Sequence, residues 1–211
     1  MKNWIVGLFT KYKRMLPWLA GGIVVGMAGI VFLVEFDHLT ATEEFCTTCH
    51  SMDFAADEYR TSVHYNSRSG VRAICGDCHV SPGIFAATWD HIMAYKDLVA
   101  EITGDYGDEV VFELHRPEMA FKTRDWFKKT GSATCLKCHV NEAIIGSRPH
   151  VRELHTKEVQ EGKTCIECHY NLVHRKVPDR KTFKRDAWNE MIEQEFNLEP
   201  GEAAKIFERT S

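Results

Sequence analysis

All eight cysteines fall in four copies of one five-residue pattern: Cys46-Thr-Thr-Cys49-His50, Cys75-Gly-Asp-Cys78-His79, Cys135-Leu-Lys-Cys138-His139 and Cys165-Ile-Glu-Cys168-His169. C-x-x-C-H is the attachment pattern of c-type haem. Two thiols about one helical turn apart reach the two vinyl groups on one porphyrin edge. The next residue, His, then lies beneath the ring with a nitrogen toward iron. The rival chemistry is zinc, because paired C-x-x-C units also match Cys₄ zinc sites. Zinc does not require a histidine directly after the second cysteine, and 11 histidines in 211 residues do not place four there by chance. A disulfide framework leaves the same histidines unexplained. The pattern therefore implies four covalently bound haem c groups. Covalent attachment takes place in the bacterial periplasm, so it implies a compartment as well.

Haem iron takes a ligand on each face. His79, His139 and His169 supply one face of the second, third and fourth haems. His64, His115, His150, His155 and His174 stand outside the motifs and are available for the other. Met52 follows His50 by two residues. Its thioether is a soft ligand suited to haem iron, although a core methionine is the ordinary reading. Asp90, Ala94, Asp97 and Glu101 recur at helical spacing on one face, a pattern that usually marks a solvated surface.

These residues need elements to hold them. Residues 1–15 carry Lys2, Lys11, Lys13 and Arg14 and no acid. Leu16 to Val34 then runs 19 residues without a charge, and Phe36 extends it. That nearly spans a hydrocarbon core of about 30 Å. Glu35, Asp37, Glu43 and Glu44 follow. Basic before and acidic after places the N-terminus in the cytoplasm, with Trp4 and Trp18 suited to the interface. The run is longer than a signal-peptide core and ends at no small-x-small site, so it reads as an uncleaved anchor. It ends about ten residues before Cys46, which keeps the first haem close to the bilayer and within reach of a lipid-soluble carrier such as quinol. Pro82-Gly83 turns the chain, and one helix is predicted from Ile84 to Thr103, ending at Gly104. Residues 104–134 start loose and then suggest short helices. His115 there reads as a distal ligand or as a helix-end histidine near a propionate. Beyond Pro178, Trp188, Met191, Ile192 and Phe196 fit an amphipathic helix. Pro200-Gly201 breaks it before a short final one. This charged stretch reads as a lid or partner-docking tail, or as a dangling terminus. The net charge of −4 suggests no nucleic-acid partner.

CTTCHSM, the His64-x-Asn stretch with GVRA, the second motif followed by Val80, His115-Arg-x-Glu-Met-Ala120, and GKTCIECH with a histidine close behind together resemble the NapC/NirT family over residues 5–178. That family comprises membrane-anchored tetrahaem quinol dehydrogenases of anaerobic respiration. The resemblance implies that Met52 ligates the first haem, with His50 the alternative. It favours His64, His155 and His174 as the distal ligands of the other three, leaving His115 and His150 in reserve; it does not say which serves which iron. It also implies that Asp97 sits beside the open side of the first haem and takes a proton from quinol. Relatives carry a basic residue one to two turns before that acid. Here Asp90-His91 holds the place. His91 is read as a hydrogen-bonding partner for a quinone oxygen, an iron ligand or a pocket cap.

The expected fold is mainly α with little regular sheet: one transmembrane helix and a compact periplasmic tetrahaem domain. The expected boundaries are 1–36 for the cytoplasmic N-terminus and anchor, 37–178 for the haem domain and 179–211 for the tail. The expected function is quinol oxidation at the inner membrane, with menaquinol the expected quinol. Electrons would then pass to a periplasmic multihaem reductase or oxidase, with which an oligomer is expected. Reverse flow from a periplasmic oxidase into the quinone pool is the first alternative. An electron-transfer subunit without a quinone site is the second.

Overall fold

The structure, a computed structural model, describes residues 2–144, 146 and 148–211, with the side chains of residues 2–11 and 14 outside the described set. The interfacial reading of Trp4 and the basic side chains of Lys2, Lys11 and Arg14 therefore lie outside it. Ten α-helices are described: α1 (Lys2–Thr40), α2 (Glu43–Cys46), α3 (Ser51–Thr61), α4 (Cys75–His79), α5 (Ile84–Met93), α6 (Tyr95–Thr103), α7 (Glu109–Lys129), α8 (Pro149–Gln160), α9 (Arg185–Phe196) and α10 (Glu202–Thr210). Short 3₁₀ turns at Cys135–Lys137, Asn141–Ala143 and Cys165–Glu167 complete the set, and no strand occurs among the described residues. The chain divides into two compact units, Met1–Thr40 and Ala41–Ser211.

The first unit is α1. Its stretch Met15–Thr40 is long and apolar enough to cross a membrane, and Leu16, Val25 and Phe32 expose their side chains along it. The helix accepts Pro17 and continues past Phe36 to Thr40.

Two expectations about elements need correcting. Residues 84–103 do not form one helix. The chain breaks at Ala94, which ends α5 and begins α6, so Asp90 and Asp97 lie on different helices. Asp90 is spent on local structure, accepting the Ser81 N–H at 2.8 Å. Residues 109–129, in contrast, are not a set of short helices. They form the single 21-residue α7, opened by the Asp108 carboxylate accepting from Val110 N at 2.8 Å and Val111 N at 3.2 Å. Pro117 lies within α7 and the helix continues through it, because burial on all sides from Val111 to Pro117 outweighs the lost backbone bond.

The stretch 179–211 also departs from expectation. Helices α9 and α10 form as predicted, and they are not a dangling terminus. They pack on α7 and close the apolar core of the second unit: Leu114, Val177, Trp188, Ile192 and Ala203. Asn197 in the left-handed region (φ 53°) ends α9. The Glu193 carboxylate then accepts Gly201 N at 2.8 Å and Ala203 N at 3.1 Å, starting α10.

Candidate functional site

The four motifs are brought together in chain order. Cys46 ends α2, whose N-cap Thr42 accepts Phe45 N at 3.2 Å. Gly76 of the second motif donates its N–H to Ala41 O at 3.0 Å, and a Cβ there would overlap the Ala41 side chain. Only glycine admits that approach. The neighbouring Cys75 thiol lowers the pKa of Cys46 to about 7 against desolvation, and Cys46 in turn raises that of Cys75. The second motif meets the third through Lys137 Nζ, which donates to Val80 O at 2.9 Å. Desolvation first and Cys135 second raise the Cys78 thiol, and desolvation first and Cys165 second raise that of Cys135. The fourth motif is held by Ser132 Oγ, which accepts Ile166 N at 3.2 Å. Among the described residues no three His, Cys, Asp or Glu side chains form a group that could hold a metal ion.

Every motif histidine but the first faces a second imidazole. His64 and His139 have ring centroids 6.4 Å apart, His79 and His174 6.1 Å, and His155 and His169 6.1 Å. Two imidazoles on opposite faces of one iron, with metal–nitrogen bonds of about 2 Å and about 1.1 Å more to each ring centre, have centroids roughly 6 Å apart. The side chains therefore fit haem iron. His155 Nδ1 lies 2.9 Å from Val151 O, the second bond that commonly orients a metal-binding imidazole. Desolvation first and His174 second lower His79 to about 4, which keeps it neutral, as a ligand must be.

The first motif is built differently. His50 Nδ1 turns to Asp53 Oδ2 at 3.0 Å with its side chain 84 % exposed, and among the described residues no imidazole faces it. Met52 lies in the first turn of α3, partly exposed. Beside it the buried Ser51 donates Oγ–H to Glu101 Oε2 of α6 at 2.6 Å. Asp97, one turn earlier on α6, is exposed and pairs with Lys122 Nζ of α7 at 3.4 Å. His91, in the last turn of α5, has Nδ1 2.9 Å from Ala87 O. The side chain of α6 that bonds directly beside the first motif is Glu101, through Ser51.

A model of the NapC/NirT cytochrome c family, N-terminal region, matches residues 10–180. The chain belongs to the NapC/NirT cytochrome c family. It is 37 % identical over 184 residues to cytochrome c-type protein NapC of Escherichia coli K12, covering 80 % of this chain and 92 % of NapC. It is 37 % identical over 170 residues to a probable tetraheme cytochrome c-type protein of Nitrosomonas europaea, covering 79 % and 72 %. It is 35 % identical over 182 residues to cytochrome c-type protein TorC of E. coli K12, covering 84 % of this chain and 46 % of TorC. The chain thus spans about half the length of TorC. No solved structure matches. This NapC/NirT cytochrome is a tetrahaem electron-transfer protein with covalently bound haem c.

Two features of the cytochrome's site escaped the sequence reading. Glu58 of α3 accepts from Arg175 N and Arg116 Nη1, both at 2.9 Å, and its Oε2 lies 3.7 Å from His174 Nδ1. Desolvation works to raise the Glu58 pKa, but the nearby His174, the bond from Arg175 N and the Arg116 charge lower it overall. The buried Glu113 binds Arg116 at 2.5 Å and Arg175 at 3.1 Å, and Arg175 also pairs with Glu195 of α9. No spacing rule links residues so far apart. His115 is the second. It lies mid-α7, not at a helix end, with Nε2 2.8 Å from Thr210 Oγ1 and its ring between Tyr106 and Phe207. It packs the C-terminal helix.

Proposed function

We propose that this cytochrome is a membrane-anchored quinol dehydrogenase, with its haem unit in the periplasm, that passes electrons to a periplasmic redox partner. The observation that carries the reading is the asymmetry of the four motifs. Three present opposed imidazoles, which saturate an iron. The first presents Met52, a histidine engaged elsewhere, and the acidic face of α6. That is the site fitted to exchange electrons with a small mobile donor. Along the chain, five residues separate the end of α1 from Cys46, and so few reach at most about 20 Å even fully extended.

In this reading Cys46 and Cys49, Cys75 and Cys78, Cys135 and Cys138, and Cys165 and Cys168 carry the four haems. Met52 ligates the first. His79 with His174, His139 with His64, and His169 with His155 ligate the second, third and fourth. Bound haem c supplies one-electron iron couples whose potentials follow ligand type and burial. Oxidising a quinol releases two electrons and two protons, so the site needs a base. Asp97 accepts a proton from a quinol hydroxyl, Lys122 beside it holds the carboxylate in place, and His91 hydrogen-bonds the other ring oxygen. Glu101 keeps α6 against α3 through Ser51.

The test is Asp97→Asn in lipid nanodiscs. A menaquinol analogue should reduce the haems at least about tenfold more slowly than in the wild type, a loss typical of a missing proton acceptor, while dithionite still reduces all four. Equal rates would remove Asp97 from the mechanism. A wild-type protein that menaquinol and ubiquinol both fail to reduce would remove the quinol reading itself.

A further inference from the structure

Charge is unevenly distributed over this chain. Residues 122–129 and 174–185 together hold ten of the 26 lysines and arginines but only two acids, Asp125 and Asp179, leaving 16 basic against 28 acidic residues elsewhere. The fold lays these two segments side by side. Arg124 of α7 donates to Val177 O at 2.8 Å and Pro178 O at 3.0 Å, and Arg180 pairs with Asp125 at 2.6 Å. Five of the ten cations have a carboxylate partner: Lys122, Lys128, Arg175, Arg180 and Arg185. Arg124, Lys129, Lys176, Lys181 and Lys184 have none within ion-pair distance among the described residues. The four lysines are exposed.

The strip borders the fourth motif. Lys128 reaches Glu167 at 2.9 Å, Arg124 donates to Asn171 Oδ1 at 3.0 Å, and its guanidinium lies over the Tyr170 ring at 4.6 Å. Tyr170 follows His169 directly. Unpaired like charges crowded together cost stability unless a partner of opposite sign repays them. We propose that this strip is the docking surface for an electron-transfer protein with an acidic face, seated beside the fourth haem. The inference rests on the reading that electrons leave the chain to a soluble partner. An anionic bilayer would also attract lysines, but a contact beside the last of the four motifs serves electron exit. Transient redox pairs depend on electrostatic steering to meet fast and part fast. Lys181 and Lys184 lie beyond residue 180, where the family match ends.

The test uses the full-length holoprotein in zwitterionic nanodiscs, reduced with dithionite so that no quinol step is involved. Reoxidation is followed with two probe acceptors of opposite charge: plastocyanin, an acidic copper protein, and mitochondrial cytochrome c, a basic haem protein. Plastocyanin should reoxidise the wild type at least about tenfold faster at roughly 20 mM than at roughly 500 mM salt, where screening shrinks to a few ångströms. The variant Lys129→Glu/Lys176→Glu/Lys181→Glu/Lys184→Glu should lose that advantage and react faster with cytochrome c. The two proteins should converge at high salt. An unchanged visible spectrum with four haems per chain certifies folding, and the corresponding four-Gln variant should fall between. Equal plastocyanin rates in wild type and variant at low salt would overturn the proposal. So would lysine protection that appears only in nanodiscs of anionic lipid, which would assign the strip to the membrane surface. Either result leaves the Asp97 test readable on its own.

Discussion

Three histidines outside the motifs stand opposite three that belong to one, and the separations differ by only a few tenths of an ångström. A chance cluster of histidines would not repeat one distance three times. Which residues attach haem was legible in the sequence, because thioether chemistry fixes their spacing to within one turn. Which distal histidine serves which iron was not, because His64 and His139, or His79 and His174, meet only through the tertiary fold. The pairing has a direct consequence. In His64→Ala one iron loses its sixth ligand and should bind one equivalent of CO per chain in the reduced protein, where the wild type with saturated irons binds none at that position. His174→Ala should do the same at a different iron, and the double variant should bind two equivalents more than the wild type. If the double variant takes up no more CO than either single one, the two histidines do not serve separate irons.

At the scale of elements, periodicity found α9, α10 and the long apolar α1 but misjudged their neighbours. The α5–α6 break at Ala94 carries no glycine or proline, so nothing in the local sequence announces it. Helix α7 was obscured because its buried turns from Val111 to Pro117 carry Glu113, His115 and Arg116 among the apolar side chains, which hides the apolar period. What α7 touches explains the last 30 residues: Leu114 meets Ile192 and Ala203, Trp188 Nε1 donates to Glu113 O at 2.9 Å, and His115 meets Thr210. His115 also sets a pH limit on this packing. Desolvation lowers its pKa, Glu118 opposes the shift, and Arg185 reinforces it. Tyr106, Phe207 and Thr210 complete its surroundings and carry no charge near neutrality. The folded value thus lies below the unfolded 6.5, and the unfolded state binds more protons between them. The stabilisation is present in full above pH 6.5 and is lost as pH falls through the folded pKa. Amide exchange across residues 202–210, corrected for intrinsic rates, should show protection declining below about pH 6.5 in the wild type. In His115→Gln it should stay flat. A decline of the same size in both proteins would show that another group governs it.

At the scale of the whole second unit, the motifs meet in the order of the chain: first to second through Gly76 and Ala41, second to third through Lys137 and Val80, third to fourth through Ser132 and Ile166. The distinctive first motif lies at one end of that series and the basic strip borders the other. If electrons enter at the first and leave from the fourth, the two middle centres have no bypass, and a trap at either must throttle the flow. His64→Met builds such a trap. It exchanges one imidazole of the third pair for a thioether, and His/Met ligation raises a haem potential relative to bis-His. Every 59 mV by which the third centre then lies above the fourth lowers the electron population passed onward about tenfold. Quinol-driven reduction of the first haem should keep its wild-type rate, because nothing near Asp97 has changed. Steady-state transfer from quinol to plastocyanin should fall by at least that factor of about ten. Redox titration supplies the control by showing one potential of the four displaced upward. A displaced potential with undiminished turnover would mean that electrons reach the exit without crossing the third centre, and the series arrangement would have to be abandoned even if every ligand assignment held.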